Sequence, residues 1–160
     1  MTDDLRAFGD PGSSGFRVDC YPFYLLNRAV SRYNTLIEAE LRQIDIDIPS
    51  WRVLMILGER APQPIGQVAK LAVINISTMV RIVERMTKAK LVESIPSASD
   101  GRITELKLTA GGNRKLAAAR KVAAPIYKQL IRDFSAAEFA NLLKLLNRLY
   151  DNLDAPRSER

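Results

Sequence analysis

Five polar side chains recur along one segment of the chain at a spacing that suits the binding of a polyanion. They are Ser77, Thr78, Arg81, Arg85 and Lys88. Arginine and lysine bind phosphate oxygens, and an arginine can also donate two parallel hydrogen bonds to the edge of a guanine. Hydroxyls and free amides at a helix start add donors for phosphate or a base edge, although Ser77 and Thr78 could also serve only as caps.

The periodicity of this segment predicts a helix over 76–89. At about 100° per residue, the polar side chains fill one side of the helix. The other side is apolar and consists of Ile76, Met79, Val80, Ile82, Val83 and Met86. We expect Asn75 to be the N-cap, because its side chain can accept a hydrogen bond from a free amide of the first turn.

A β-hairpin is predicted after this helix. Two alternating runs, Leu91–Ile95 and Arg102–Leu108, are joined by a turn that contains Asp100 and Gly101. A helix that enters the major groove, with a basic hairpin beside it, is a known way of gripping duplex DNA. The alternative for Asp100 and Arg102 is a surface ion pair of little energy.

The location of the positive charge supports the same interpretation. The net charge is +6, from 24 basic and 18 acidic residues. Residues 60–115 hold ten cations and four acids, so this segment carries the whole excess. An arbitrary basic segment is usually a solvated face, but here the excess coincides with the predicted helix and hairpin, as expected for a polyphosphate partner.

Composition excludes several classes of protein. The chain has no histidine and a single cysteine, Cys20, so it has no Ser-His-Asp triad, no histidine zinc site and no intramolecular disulfide. We therefore expect no enzyme activity, no metal and no cofactor. No apolar run approaches the roughly 20 residues of a membrane span, and the acidic N-terminus is unlike a secretory signal, so we expect a cytoplasmic protein without a membrane partner.

Further helices are predicted on both sides of the basic helix. Before it we expect a first helix from about Pro22 to Gln43, which Asp19 helps to cap, and a second from Trp51 to Arg60, which Ser50 caps. A third helix is expected from Ile65 to Leu71. The segments between these helices are a connector over 44–49 and a helix-breaking segment over 61–64. The third helix and the basic helix would form a helix-turn-helix.

Two long helices are predicted after the hairpin. Thr109 would cap a helix to about Asp133, in which Pro125 predicts a kink or a break. Ser135 and Glu138 fit a capping box that opens the last helix, to about Leu153. Apolar residues cover more than half of that helix, which predicts packing against a second copy of the chain and hence a homodimer; a monomeric helical cap is the alternative.

These elements define the expected fold class: mostly α with a small β-hairpin wing, a winged helix-turn-helix core with N- and C-terminal dimerisation helices. The predicted divisions are a flexible tail over 1–18, a dimerisation helix and connector over 19–48, the winged core over 49–108, dimerisation helices over 109–154 and a tail over 155–160.

The motifs and their order resemble the MarR family of bacterial transcription regulators over about residues 20–153. The most specific matches are Ser77-Thr78 with Arg81 and Arg85, Asp100-x-Arg102, and Leu108-Thr109-x-x-Gly112. The resemblance implies a homodimer on a pseudo-palindromic double-stranded DNA operator, usually a repressor that a small molecule or an oxidant releases.

The resemblance also implies roles for two wing residues. Arg102 would enter a minor groove, and Asp100 would hold the arginine in place. The sequence departs from the family pattern at two glycines, one common just before Leu91 and one in the turn of the helix-turn-helix; Lys90 and Val73 stand there.

A pocket for a small anionic effector, such as an aromatic acid or a thioester, is predicted near the first long helix. Arg28 and Arg32 lie one helical turn apart and suit a carboxylate, with Tyr21, Tyr24 and Trp51 as aromatic walls. The alternative is that these residues are core aromatics and intersubunit ion pairs.

Two further readings of the function remain open. Cys20, Tyr24 and Arg28 resemble the start of the peroxide-sensing branch of the family, although Asn34 and Ile48 replace tyrosines expected there. A winged-helix adaptor that does not bind DNA is the more remote alternative, and the cationic helix face argues against it.

Overall fold

The computed structural model describes residues 4–154. Its helices are α1 (Leu5–Gly9), α2 (Pro22–Arg42), α3 (Ile48–Glu59), α4 (Ile65–Ala72), α5 (Ile76–Lys88), α6 (Ala110–Leu130) and α7 (Ala136–Asp154), with a 3-10 turn at Val18–Cys20. Its strands are β1 (Gln63–Pro64), β2 (Val92–Pro96) and β3 (Thr104–Leu108). The predicted fold class, mostly α with a small β wing, is therefore confirmed.

The three strands form one antiparallel sheet in the order β1-β3-β2. In the hairpin, Val92 pairs with Leu108 and Pro96 with Thr104, so the turn between the strands extends from the core as a wing. On the other side of β3, Gln63 pairs with Leu106. The sequence predicts only a helix-breaking segment at 61–64, because two residues are too few to show alternation.

The core lies where α2, α3, α4 and α5 meet the sheet. Fully buried side chains come from each of these elements: Ile37, Leu41, Val53, Leu54, Val68, Met79, Met86 and Leu106. The chain forms two compact units, and the boundary between them lies within α6, at Ala123 and Ala124. The core described here belongs to the first unit.

Two predicted caps are wrong. Asp47, and not Ser50, caps α3: its carboxylate accepts from the Ser50 backbone amide at 2.9 Å, and Pro49 lies in the first turn. Asp19 does not cap α2, because it lies inside the 3-10 turn and its carboxylate pairs with Arg17 at 2.7 Å.

Three other predicted caps are confirmed. Asn75 accepts from the amide of Thr78 at 2.8 Å, and the hydroxyl of Thr109 accepts from the amide of Gly112 at 3.0 Å. Ser135 and Glu138 exchange the two hydrogen bonds of a capping box. Local signals of this kind are readable from sequence because donor and acceptor are only three residues apart.

Two further features concern α6 and the N-terminal segment. α6 continues past Pro125 to Leu130, so of the predicted kink or break the break is wrong, and the helix ends before the predicted Asp133. Within the predicted N-terminal tail, residues 5–9 form α1, which Asp4 caps, and the carbonyl of Phe8 accepts from the amide of Arg17 at 2.8 Å.

Among residues 4–154, no single helix is long and apolar enough to cross a membrane. Taken together, α4 and α5 meet the same length and composition criteria, but they are bent by 108° relative to each other. Both helices contribute buried residues to the core described above.

Candidate nucleic-acid interface

The orientation of α5 determines which of its side chains can meet a partner. Met79, Ile82, Val83 and Met86 are buried, so the helix packs on the core along this side. The side opposite to them carries exposed residues, namely Ser77, Arg81, Glu84 and Lys88. Among residues 4–154, no segment therefore covers the predicted cationic face.

Two residues that the sequence assigns to the apolar side do not belong to the core. Ile76 is 52% exposed and Val80 is 40% exposed. The reason is geometric: at about 100° per residue, both side chains point between the buried side and the cationic side. The buried stripe of α5 is consequently narrower than predicted.

The first turn of α5 is built around Asn75. Its side-chain oxygen accepts from the amide of Thr78 at 2.8 Å and from the hydroxyl of Ser77 at 2.9 Å. The Ser77 hydroxyl thus takes part in the cap, whereas the Thr78 side chain remains exposed. A capped, exposed helix start of this kind presents its remaining amides to an anion.

The Arg85 side chain forms hydrogen bonds within the protein. Its guanidinium donates to the Asp47 carboxylate at 2.5 Å and to the Ser50 hydroxyl at 3.0 Å, which ties α5 to the start of α3. Partial burial raises the pKa of Asp47, but hydrogen bonds from Ser50 and the charge of Arg85 outweigh it, so the pKa lies below its usual value.

In the part of the chain that the structure describes, Arg81 and Lys88 form no salt bridge.

The wing presents one arginine in a defined orientation. The Arg102 guanidinium donates two hydrogen bonds to the Asp100 carboxylate, at 3.0 and 2.9 Å, and its backbone amide donates a third at 3.1 Å. These bonds lower the pKa of Asp100, the side-chain bond being the largest cause. The Arg102 side chain is 90% exposed, so the ion pair orients a side chain that remains available to a partner.

The start of α6 packs closely against the segment that joins α5 to β2. The Thr109 hydroxyl donates to the Lys90 carbonyl at 2.5 Å, and the Thr109 amide donates to the Leu91 carbonyl at 3.1 Å. A Cβ atom on Gly112 would lie 2.0 Å from the Leu91 oxygen, so only glycine permits this approach. The Leu-Thr-x-x-Gly motif thus fixes the wing and the end of α5 to one helix.

The two departures from the family pattern both lie at left-handed backbone positions. Val73, between α4 and α5, has φ 55° and ψ 49°, and Lys90, after α5, has φ 56°. This region favours glycine, and a β-branched residue such as valine is rarely found in it. The turns keep their geometry with these residues, at the cost of local strain.

The predicted effector residues do not all meet in the chain. Tyr24, Arg28 and Arg32 line an open groove of about 560 Å³ on α2, together with Asn27, Ser31 and Thr35. The Arg28 guanidinium lies over the Tyr24 ring at 5.4 Å. Tyr21 and Trp51 do not line this groove, and Trp51 is buried in the core, so the single chain brings together only three of the five predicted effector residues; their role in binding an effector stays a prediction.

Cys20 ends the 3-10 turn before α2 and is partly buried. It is a free thiol among the residues that the structure describes. The redox hypothesis for this residue stays a prediction.

Sequence reasoning missed the part played by Asp47. An aspartate followed by Ile48 and Pro49 is a recognisable helix start, because proline is favoured in the first turn. The cap could have been found from this signal. The contact with Arg85 could not, because 38 residues separate the two partners.

Comparison with known proteins agrees with this geometry. The model of the MarR family matches residues 46–104. The HTH-type transcriptional repressor IacR of Pseudomonas putida is 34% identical over 145 residues, which cover 91% of this chain and 87% of that protein. The chain belongs to the MarR family of transcription regulators.

Solved structures show the same fold. A MarR-family regulator from Silicibacter pomeroyi matches with a TM-score of 0.79 at 23% identity, over 88% of this chain and 95% of that one. A mutant MarR from E. coli, complexed with operator DNA, matches with a TM-score of 0.71 at 22% identity, over 82% and 95% of the two chains. Both support the winged helix-turn-helix assignment.

Proposed function

We propose that this regulator is a dimeric repressor that binds a pseudo-palindromic operator through α5 and the wing, and that a small anionic molecule releases it. The observation that carries the proposal is the exposed pair of cationic elements: α5 with Arg81 and Lys88, and the wing with Arg102 held by Asp100. Its relative IacR is named a transcriptional repressor, and the E. coli MarR mutant is complexed with operator DNA.

The two elements have complementary roles on a duplex. A helix of this size fits the major groove, where arginine and lysine reach phosphates and guanine edges. An exposed arginine on a hairpin suits the narrower minor groove beside it. Arg85 contributes mainly by holding α5 on α3, because its guanidinium already has two partners in the protein.

A dimer supplies the second reading helix. In the single chain, α7 has no buried residue, and five of its large apolar side chains are between 37% and 65% exposed: Leu143, Leu145, Leu146, Tyr150 and Leu153. Exposed apolar surface of this extent favours association, and a twofold axis would space two α5 helices along the DNA.

The groove on α2 is the proposed effector site. Arg28 and Arg32 supply the charge for a carboxylate and Tyr24 supplies an aromatic wall. The groove is open in the single chain, and a second copy of the chain packed along α2 would enclose a ligand there. We therefore place the effector at the dimer helices rather than in the winged core.

Binding to duplex DNA is tested first by its dependence on salt. Fluorescence anisotropy with a labelled duplex, selected from a randomised pool, should show log affinity falling linearly with log salt, by roughly 0.9 per phosphate contacted. An affinity that does not change between low and high salt would contradict the proposal.

The role of the wing is tested by a matched pair of variants. Arg102→Ala should weaken binding to the selected duplex by about 1–3 kcal/mol, the usual scale of a specific groove contact. Arg6→Ala is the control, because Arg6 forms the same kind of ion pair with Asp4 and its side chain is 91% exposed. Equal losses in both variants would show that net charge, and not the wing, accounts for the effect.

A further inference from the structure

One surface of α5 is explained neither by the core nor by the binding of phosphate. Ile76 and Val80 are apolar, yet 52% and 40% of their surface remains exposed, whereas the core residues of the same helix are at most 7% exposed. They are four residues apart, so their side chains lie one above the other along the helix. Burial of such a pair by a partner would be favourable.

This apolar pair lies directly beside the cationic side of the helix. With Ile76 set at zero, Val80 lies at about 40° and Thr87 at about 20° around the helix axis; the acid Glu84 follows at about 80°, Ser77 at about 100°, and the cations Lys88 and Arg81 at about 120° and 140°. Thr87 is also exposed and adds a methyl group to the row. Arg81 lies about 100° from Val80, so a groove that receives the helix, and not a flat surface, meets both Arg81 and the row of methyl groups.

Duplex DNA has one apolar group that such a row can contact. Thymine alone carries a methyl group in the major groove, and apolar side chains recognise it by contact. The N-terminal part of a recognition helix is the part that approaches base edges most closely, and Ile76 and Val80 lie in its first two turns. A positively charged neighbourhood argues for DNA over an apolar protein surface, which would leave Arg81 and Lys88 without partners.

We propose that Ile76 and Val80 determine operator specificity by contacting thymine methyl groups in the major groove. The inference rests on the proposed function, since it assigns the bases that α5 reads. It predicts that each half-site contains at least one thymine whose methyl group contributes to affinity, in addition to the contacts made by Arg81.

The experiment combines substitutions in the protein with base replacements in the DNA and measures the binding affinity of each combination. A duplex is selected from a randomised pool with the wild-type protein, and each thymine is then replaced by deoxyuridine, which lacks only the methyl group. At the thymine read by Val80, the replacement should weaken wild-type binding about fourfold, the effect expected for burial of one methyl group.

Val80→Ala should bind the thymine duplex about as weakly as the wild type binds the deoxyuridine duplex, and should not distinguish the two duplexes. Ile76→Ala should behave in the same way at a neighbouring thymine. Leu71→Ala is the control, because Leu71 is 50% exposed but belongs to α4, and it should keep the full deoxyuridine effect. Circular dichroism verifies that the variants are folded.

The outcomes separate this inference from the proposed function. If wild type and Val80→Ala lose the same affinity at every deoxyuridine, or if no replacement has an effect, the thymine assignment is overturned while DNA binding stands. If Val80→Ala changes the oligomeric state and not the DNA affinity, the row is a protein contact and the inference is equally overturned. If no duplex is enriched by selection, the proposed function itself fails.

Discussion

The Arg85 guanidinium on α5 donates to the Asp47 carboxylate at the start of α3, at 2.5 Å. Asp47 is also the N-cap of α3 and accepts from the amide of Ser50 at 2.9 Å. The Asp47 carboxylate therefore stabilises the start of α3 and also holds α5 against it. The position of α5 therefore depends on the residue that caps α3.

Replacement of Asp47 by asparagine should separate these two roles. Asparagine can still cap α3, but it removes the charge that faces Arg85. We expect a small loss of thermal stability at neutral pH and a larger loss for Asp47→Ala, which removes the cap as well, by about 1 kcal/mol more. Equal melting temperatures for the two variants, measured by differential scanning calorimetry, would contradict the separate roles.

The same pair predicts a pH dependence. The pKa of Asp47 is lowered in the folded chain from an ordinary value of 3.8, so the carboxylate stabilises the fold above that value, and this contribution is lost as the pH falls through the lowered pKa. The stability difference between wild type and Asp47→Asn should therefore be constant from about pH 7 to pH 5 and should shrink below about pH 4. Denaturant titrations across this range measure it; a difference that grows in acid would refute it.

Gly112 should tolerate no side chain. The Cβ atom of an alanine would lie 2.0 Å from the Leu91 carbonyl oxygen, a backbone atom that cannot turn away. Gly112→Ala should lower stability by about 2–3 kcal/mol, as overpacking does, and should weaken DNA binding because it displaces the end of α5. Gly66→Ala is the control: nothing lies within 4 Å of its Cβ position in α4, and its stability should be unchanged or slightly raised. Similar losses in both variants would show that the close approach at Leu91 is not the cause.

Val73→Gly should stabilise the protein. Val73 has φ 55° and is 85% exposed, so glycine relieves the strained backbone and sacrifices almost no buried surface. Relief of about 1–2 kcal/mol, offset by roughly 0.5–1 kcal/mol of unfolded-state entropy, leaves a gain of up to about 1.5 kcal/mol. Val80→Gly, inside α5, should instead lose a few tenths of a kcal/mol or more, because glycine is a poorer helix former than valine and removes a half-buried side chain. A lower melting temperature for Val73→Gly than for wild type would show that the turn is not strained.

The sequence predictions are right for interactions between residues close together in the chain and fail for interactions between distant segments. The sequence correctly predicts Asn75, Thr109 and Ser135 as caps, because each acts on a residue three positions away. The link between Arg85 and Asp47 and the burial of Trp51 depend on contacts between distant segments, which periodicity does not report. The exposure of Val80 has the same origin, since the packing of α5 selects which apolar residues enter the core.

Association of two chains should depend on the apolar side of α7. Leu146 and Tyr150 lie one turn apart and are 37% and 61% exposed in the single chain. Leu146→Glu should shift the monomer–dimer equilibrium toward monomer, and Lys144→Gln is the control, because it lowers the net charge by the same one unit. Sedimentation velocity over a range of concentrations measures both. If Leu146→Glu dimerises as the wild type does, this side of α7 is not the interface.

The effector site is the last prediction, and it follows from the groove on α2. Arg28 and Arg32 lie one helical turn apart there, with the Arg28 guanidinium 5.4 Å from the centre of the Tyr24 ring. A ligand releases DNA only to the extent that it prefers the state that does not bind DNA, so affinity alone is not sufficient. Benzoate and phenylacetate are suitable probes, titrated first against free protein and then against its complex with the selected duplex. Arg28→Ala and Arg32→Ala should require at least tenfold more ligand for release and should bind DNA as the wild type does. Cys20→Ser is the control and should respond to these acids as the wild type does. If both arginine variants are still released fully from DNA, the effector binds elsewhere. If peroxide releases the wild type but not Cys20→Ser, the protein is a redox sensor instead.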